Sequence, residues 1–145
     1  MKITILLTLL SFSVFSQEVK WLNSIDSAKV ESKENNKLIL LKFSGSDWCA
    51  NCIRLDKTFF ESEVFKNFAP GNLILLEADF PMKKKNKLPK EQQAHNDKLA
   101  DKFNKGGSFP LVLILNSEGK LLGKITTPKN NIDEYINQIK SFNSK

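Results

Sequence analysis

The sequence predicts an α/β fold: one domain built on a central mixed β-sheet, with helices on both faces. Three observations carry this. Three short apolar runs, LILLKF at 38–43, LILLEADF at 73–80 and LVLIL at 111–115, lack the alternation of a half-exposed strand and read as strands buried on both sides. The segments between the first two and between the second and third carry apolar residues at helical spacing, as helices crossing between strands require. A fourth run, KLLGKI at 120–125, follows the third through the turn sequence NSEG, so the sheet ends in an antiparallel hairpin. A chain of 145 residues is enough for one such domain and too short for two well-cored ones.

The chain opens MKITILLTLLSFSVFSQEVK, with Lys2, an apolar run over 3–15, and Val14 and Ser16 at the positions a signal peptidase reads. That run is well short of the roughly 20 residues that span a bilayer. Residues 1–16 therefore read as a secretory signal cut between Ser16 and Gln17, leaving no membrane span, with an uncleaved anchor as the alternative. Export, to the periplasm or beyond the cell, places the chain where disulfides form and persist. Residues 17–36 read as a helical extension, with Trp21, Leu22, Ile25 and Ala28 at helical spacing, and 37–145 as the main domain.

Within that domain Cys49 opens a helix whose apolar positions include Cys52, Ile53, Leu55, Phe59 and Phe60. Ser62 suits the cap of a short helix through Phe68, closed by Pro70 and Gly71. After the lysine-rich loop PMKKKNKLP, a helix over about 90–104 turns Ala94, Leu99 and Phe103 inward. Asn131 with Glu134 resembles a capping box, and Ile132, Tyr135, Ile136, Ile139 and Phe142 form the apolar stripe of a last helix.

The formal net charge is +6, but the lysines are spread along the chain without the interleaved aromatics of a stacking surface, which argues against a nucleic-acid partner. Lysines 83, 84, 85 and 87 read as a solvated loop, with docking as the alternative. His95, Arg54 and Asp56 read as helix-surface residues. Lys42, inside an otherwise apolar strand, either reaches the sheet edge or lies near the thiols.

The chain's two cysteines stand three apart in SGSDWCANCIRLD, directly after the first buried strand. Open α/β sheets place their chemistry at such strand ends. Positions i and i+3 on a helix lie about 5–6 Å apart, within the range that a disulfide accepts. As a staple the pair is weak, because closing so short a loop removes only about 2 kcal/mol of unfolded-state entropy. As a zinc site it is half complete, though two thiolates can hold a soft ion such as Cu(I). As working thiols the placement makes sense: Cys49 meets the unpaired N–H groups of the helix start, which favour the nucleophilic thiolate, while Cys52 lies a turn further in and is suited to resolve a mixed disulfide. Asp47 opposes the thiolate by its charge.

WCANC at 48–52, placed after a buried strand and followed far downstream by Phe109 and Pro110 before LVLIL, resembles the thioredoxin superfamily. GSDWC, IRLD, EADFP and the lysine-rich loop before EQQAHNDKLADKF are similar to exported thioredoxin-like proteins of bacteria, a resemblance running from about Lys37 to Phe142. It implies a thioredoxin-like fold and a thiol–disulfide oxidoreductase without a cofactor. Cys49 would attack, Cys52 resolve, and the two would form the redox disulfide. Pro110 would be a cis-proline facing that disulfide, and the backbone of Phe109 would pair with substrate. Trp48 either faces substrate or packs on the sheet. The implied partners are protein disulfides or dithiols, with a membrane electron donor for a reductase, the direction towards which the reading leans. The chain departs from the family pattern at Ala50 and Asn51, where Gly-Pro is common, at Leu111, where Thr is frequent, and at Lys42, near the place of a buried acid. The reading from another class is a binding module of the same fold that uses Cys49 and Cys52 as a local clip or soft-metal site.

Overall fold

A computed structural model describes residues 19–126 and 131–143. The signal-like segment 1–16 lies outside them. Five strands, β1 (Trp21–Leu22), β2 (Leu38–Ser44), β3 (Leu73–Asp79), β4 (Leu111–Leu115) and β5 (Leu121–Ile125), form one sheet in the order β1-β3-β2-β4-β5. β1 and β2 run parallel to β3, while β4 is antiparallel to both β2 and β5. The helices are α1 (Ile25–Asn35), α2 (Ala50–Leu55), α3 (Glu63–Asn72), α4 (Lys90–Phe103) and α5 (Ile132–Lys140). No helix of the described residues is long and apolar enough to cross a membrane.

The apolar runs are continuous because each strand feeds two cores. On one face Leu40, Leu75, Val112 and Ile114 pack with Leu55, Phe59, Phe60, Phe65, Tyr135 and Ile139 from the side of α2, α3 and α5. On the other, Ile39, Leu41, Phe43, Leu76 and Leu113 pack with Ala28 of α1 and Leu99 of α4. The hairpin turns where expected, with Asn116 N–H donating to Lys120 O (3.0 Å) and Gly119 at φ 76°, a left-handed value that suits glycine. Ser62 and Asn131 cap α3 and α5 through their side-chain oxygens, on Phe65 N–H and Glu134 N–H.

The structure departs from several local expectations. Trp21 and Leu22 do not belong to the first helix: they extend the sheet as β1, in register with Leu75 and Leu76. The open backbone edge of β3 offers them hydrogen bonds, and Trp21 sets its indole edge-on to Phe60 at 5.2 Å. Helix α1 starts only at Ile25, after the Ser24 cap. Helix α3 continues past Phe68 to Asn72 with Pro70 inside its last turn, where the ring's fixed φ remains helical and Leu73 N–H still closes on Ala69 O. On α4 Ala94 is exposed and Asn96 is buried instead, its Nδ2 donating to Asp79 O and its Oδ1 accepting from Gln92 Nε2, both at 2.8 Å. His95 is only half exposed, and its Nε2 accepts the Ile25 N–H at 3.2 Å, tying α4 to the start of α1.

Lys42 is neither at an edge nor free. Strand alternation puts it on the face of Leu40, 4% exposed, and its Nζ lies 2.7 Å from Asp56 Oδ1 and 2.9 Å from Glu77 Oε1, 4.4 Å above the Trp21 ring. Glu77 is its register partner on β3. Asp56, read from sequence as a surface residue, begins a five-residue π-helical stretch that continues α2 to Phe60 and turns its carboxylate inward. Burial raises the Glu77 carboxyl above its ordinary range against the opposing pull of Lys42. A carboxyl that binds its proton more tightly folded than unfolded favours the folded state most below the unfolded value of 4.5, and that contribution is lost as pH rises through the folded value. We expect Glu77→Gln to remove this dependence, so that its stability relative to the parent improves from pH 4 to pH 7. Urea midpoints across that range test it; parallel curves for the two proteins would refute it.

Candidate active site

The parallel strands β2 and β3 end side by side, with Ser44 opposite Asp79, and the chain leaving β2 turns at once into the cysteine helix. Trp48 N–H and Cys49 N–H both close on Gly45 O, at 3.2 and 2.9 Å, making a tight loop. Gly45 is needed there because a Cβ would run into the Trp48 indole.

Cys49 is the N-cap of α2. It is extended in backbone, and its Sγ accepts the Cys52 N–H at 3.2 Å. The two cysteines form a disulfide with Cα atoms 5.2 Å apart, as the spacing allows. Cys49 is 6% exposed and Cys52 1%, so the cysteine at the helix start is the more exposed of the two. A backbone donor already aimed at Cys49 Sγ would also stabilise negative charge on it after reduction.

The loop is fastened to the chain leaving β3. Asp79 accepts from Ser46 N–H (2.9 Å), Ser46 Oγ (2.5 Å) and Phe80 N–H (2.9 Å). Trp48 Nε1–H donates to Phe80 O at 2.7 Å. Asp47 accepts from Met82 N–H (2.9 Å), Lys83 N–H (3.0 Å) and Asn86 Nδ2 (2.8 Å). Those donors, Met82 N–H foremost, hold its carboxyl below the usual range. Read from sequence only as a charge opposing the thiolate, Asp47 serves as an anchor for the segment beyond β3. Nothing in its sequence neighbourhood signals a bond to partners 35–39 residues away.

Trp48 is 44% exposed and meets Phe109 edge-on at 5.5 Å, and Phe109 in turn meets Phe80 at 5.5 Å. The Phe109–Pro110 peptide is cis. The segment before it is held by Asn104, which is buried and exchanges two hydrogen bonds with the Ser108 backbone. The structure thus brings Trp48 and Phe109 into contact through a network that also includes Phe80, a residue the sequence did not single out. Among the described residues no group of three or more His, Cys, Asp or Glu converges as a metal site.

Comparison with known proteins gives a consistent picture. A family model described as thioredoxin-like matches residues 20–117. The chain is 34% identical, over 88% of its length and 75% of the relative's, to the disulfide bond reductase DsbH of Chlamydia pneumoniae. The solved structure of a DsbH oxidoreductase superposes with a TM-score of 0.80 at 32% identity, covering 93% of this chain and 92% of the other. A thioredoxin from Thermus thermophilus superposes with a TM-score of 0.62 at 10% identity, over 85% of each chain, a likeness of fold alone.

Proposed function

The chain belongs to the thioredoxin-like family, and from that premise we propose that it is an exported thiol–disulfide oxidoreductase that reduces disulfides of other proteins through Cys49 and Cys52. The observation that carries the reading is the Cys49 and Cys52 disulfide at the carboxyl end of β2, its outer sulfur held on a backbone N–H. In the reduced enzyme the Cys49 thiolate attacks one sulfur of a substrate disulfide. That bond breaks, a substrate thiolate leaves, and Cys49 is joined to the substrate. The Cys52 thiol gives up its proton and attacks Cys49 Sγ, re-forming the internal disulfide and releasing the second substrate thiol. Two electrons pass from the enzyme to the substrate.

Trp48 and Phe109 line the approach, and the backbone beside Pro110 offers an extended segment for substrate pairing. Electrons for the next cycle come from an external dithiol, for which a membrane donor is the natural source in an exported setting. Turnover tests the reading. The purified chain, with a dithiol reductant in excess and a protein disulfide such as insulin, should consume many equivalents of reductant per enzyme, and loss of residues 1–16 from the exported protein should show in its intact mass. Absence of turnover would leave the binding-module reading instead.

A further inference from the structure

We propose that residues 83–87 are a docking arm fixed beside the dithiol, whose lysines select protein disulfides flanked by acidic residues. The inference rests on the oxidoreductase reading and adds its substrate class. The stretch reads KKKNK, four lysines in five positions. Such a run is ordinarily a solvated face. Here it is fastened to the reactive loop.

Asp47 stands two residues before Cys49, a separation the chain spans in at most about 7 Å. Its carboxylate takes the backbone N–H of Met82 and Lys83 and the side-chain amide of Asn86, so it grips the arm at both ends of its first four residues. Between those grips residues 84–86 close a single 3₁₀ turn, with Asn86 N–H on Lys83 O at 2.9 Å. The turn gives the lysines a fixed base where a free loop would leave them mobile.

The arm's charge is also unspent. Lys83 faces the field of Asp47, but Lys84, Lys85 and Lys87 are exposed and pair with no carboxylate among the described residues. The two acids nearest in the network, Asp47 and Asp79, are engaged by backbone, hydroxyl and amide donors. On the cysteine helix itself Arg54 is exposed, its Nη2 donating at 3.1 Å to Oδ1 of Asn51, which stands between the two cysteines in sequence, so that helix carries a cation of its own. Trp48, Ile53 and Met82, exposed by 44, 38 and 74%, supply apolar surface on the same loop, helix and arm. A partner that offers a disulfide to Cys49 meets these groups at the moment of exchange. The complementary occupant is a polypeptide with apolar side chains at its disulfide and carboxylates beside it. Charges at the rim of such a contact act mainly on the rate of encounter, and salt screens them.

The test uses three disulfide peptides of equal length, flanked by glutamates, by lysines or by uncharged residues, reduced by the full mature protein at about 20 mM and about 500 mM salt. Rates on the charged peptides are divided by the rate on the uncharged one, which removes any change in the dithiol itself. The parent protein should favour the acidic over the basic peptide by about tenfold at low salt, and the ratio should fall towards one at high salt. The variant K84E/K85E/K87E should invert the low-salt ratio. Equal rates on all three peptides would overturn the docking arm and leave the oxidoreductase reading standing, whereas no reduction of any peptide would overturn both. Equal peptide rates together with salt-sensitive binding to phosphatidylglycerol vesicles, lost in the variant, would assign the lysines to a membrane surface and overturn the proposal in favour of that one.

Discussion

Cys52→Ser is expected to turn the enzyme into a trap: it attacks a substrate disulfide once and remains joined to its partner. The two cysteines of the pair are not equivalent. Cys49 heads α2, is the more exposed of the two, and has its Sγ within 3.2 Å of the Cys52 N–H. That donor belongs to the backbone and survives the substitution. The attacking thiolate therefore keeps its stabilisation, while the group that would release the substrate is gone. Multiple turnover of a protein disulfide should fall by at least about a thousandfold, as when one member of a unit that acts together is removed. Stoichiometric mixed disulfides should appear on a non-reducing gel.

The reciprocal Cys49→Ser should lose turnover equally and trap almost nothing, because Cys52 is 1% exposed. Adducts recovered from cells would also identify the partners. If both serine variants trap alike, or neither does, the division of labour between the two thiols is wrong.

Most of what positions this pair was legible because it is local. The apolar runs that begin at 38, 73 and 111 form strands β2, β3 and β4, buried on both faces over most of their length, and a strand in that setting has little choice of composition. The cysteine spacing and the position after β2 can likewise be read from a dozen residues. What escaped is non-local. A two-residue strand such as β1 is too short to show a period, so the spacing of Trp21 and Leu22 with Ile25 and Ala28 read as helical. Asp47 looks like an unfavourable neighbour of a thiolate until its partners at 82, 83 and 86 are known. Asp56 looks like any polar residue on an exposed helix face, and only the π-helical turn and the strand register reveal that it and Glu77 share one lysine.

That shared lysine yields the second large effect. Lys42→Met keeps an unbranched apolar stem one atom shorter, but withdraws the cation from the Trp21 and Phe60 rings and from two carboxylates that are each about three-quarters buried, at 26 and 28% exposure. Removing one partner of a buried ion pair costs about 3–5 kcal/mol, because the charge left behind is neither solvated nor paired. The residual exposure of Asp56 and Glu77 places the expected loss near the lower figure, about 3 kcal/mol, still a large share of the roughly 5–15 kcal/mol that holds a domain folded.

The sign of its pH dependence follows from the same electrostatics. Without Lys42 the burial that raises the Glu77 carboxyl loses its main opposition, so the penalty should be greatest near pH 7 and shrink towards pH 4. The triple variant K42M/D56N/E77Q should recover much of the loss, since no uncompensated charge is left in the cluster. Urea unfolding of the parent, the single and the triple variant at pH 4 and pH 7 decides the matter. A single variant as stable as the parent at pH 7 would mean that water reaches the cluster freely. A triple variant no better than the single one would mean that Lys42 acts through its cation contact with the Trp21 and Phe60 rings rather than through the two acids.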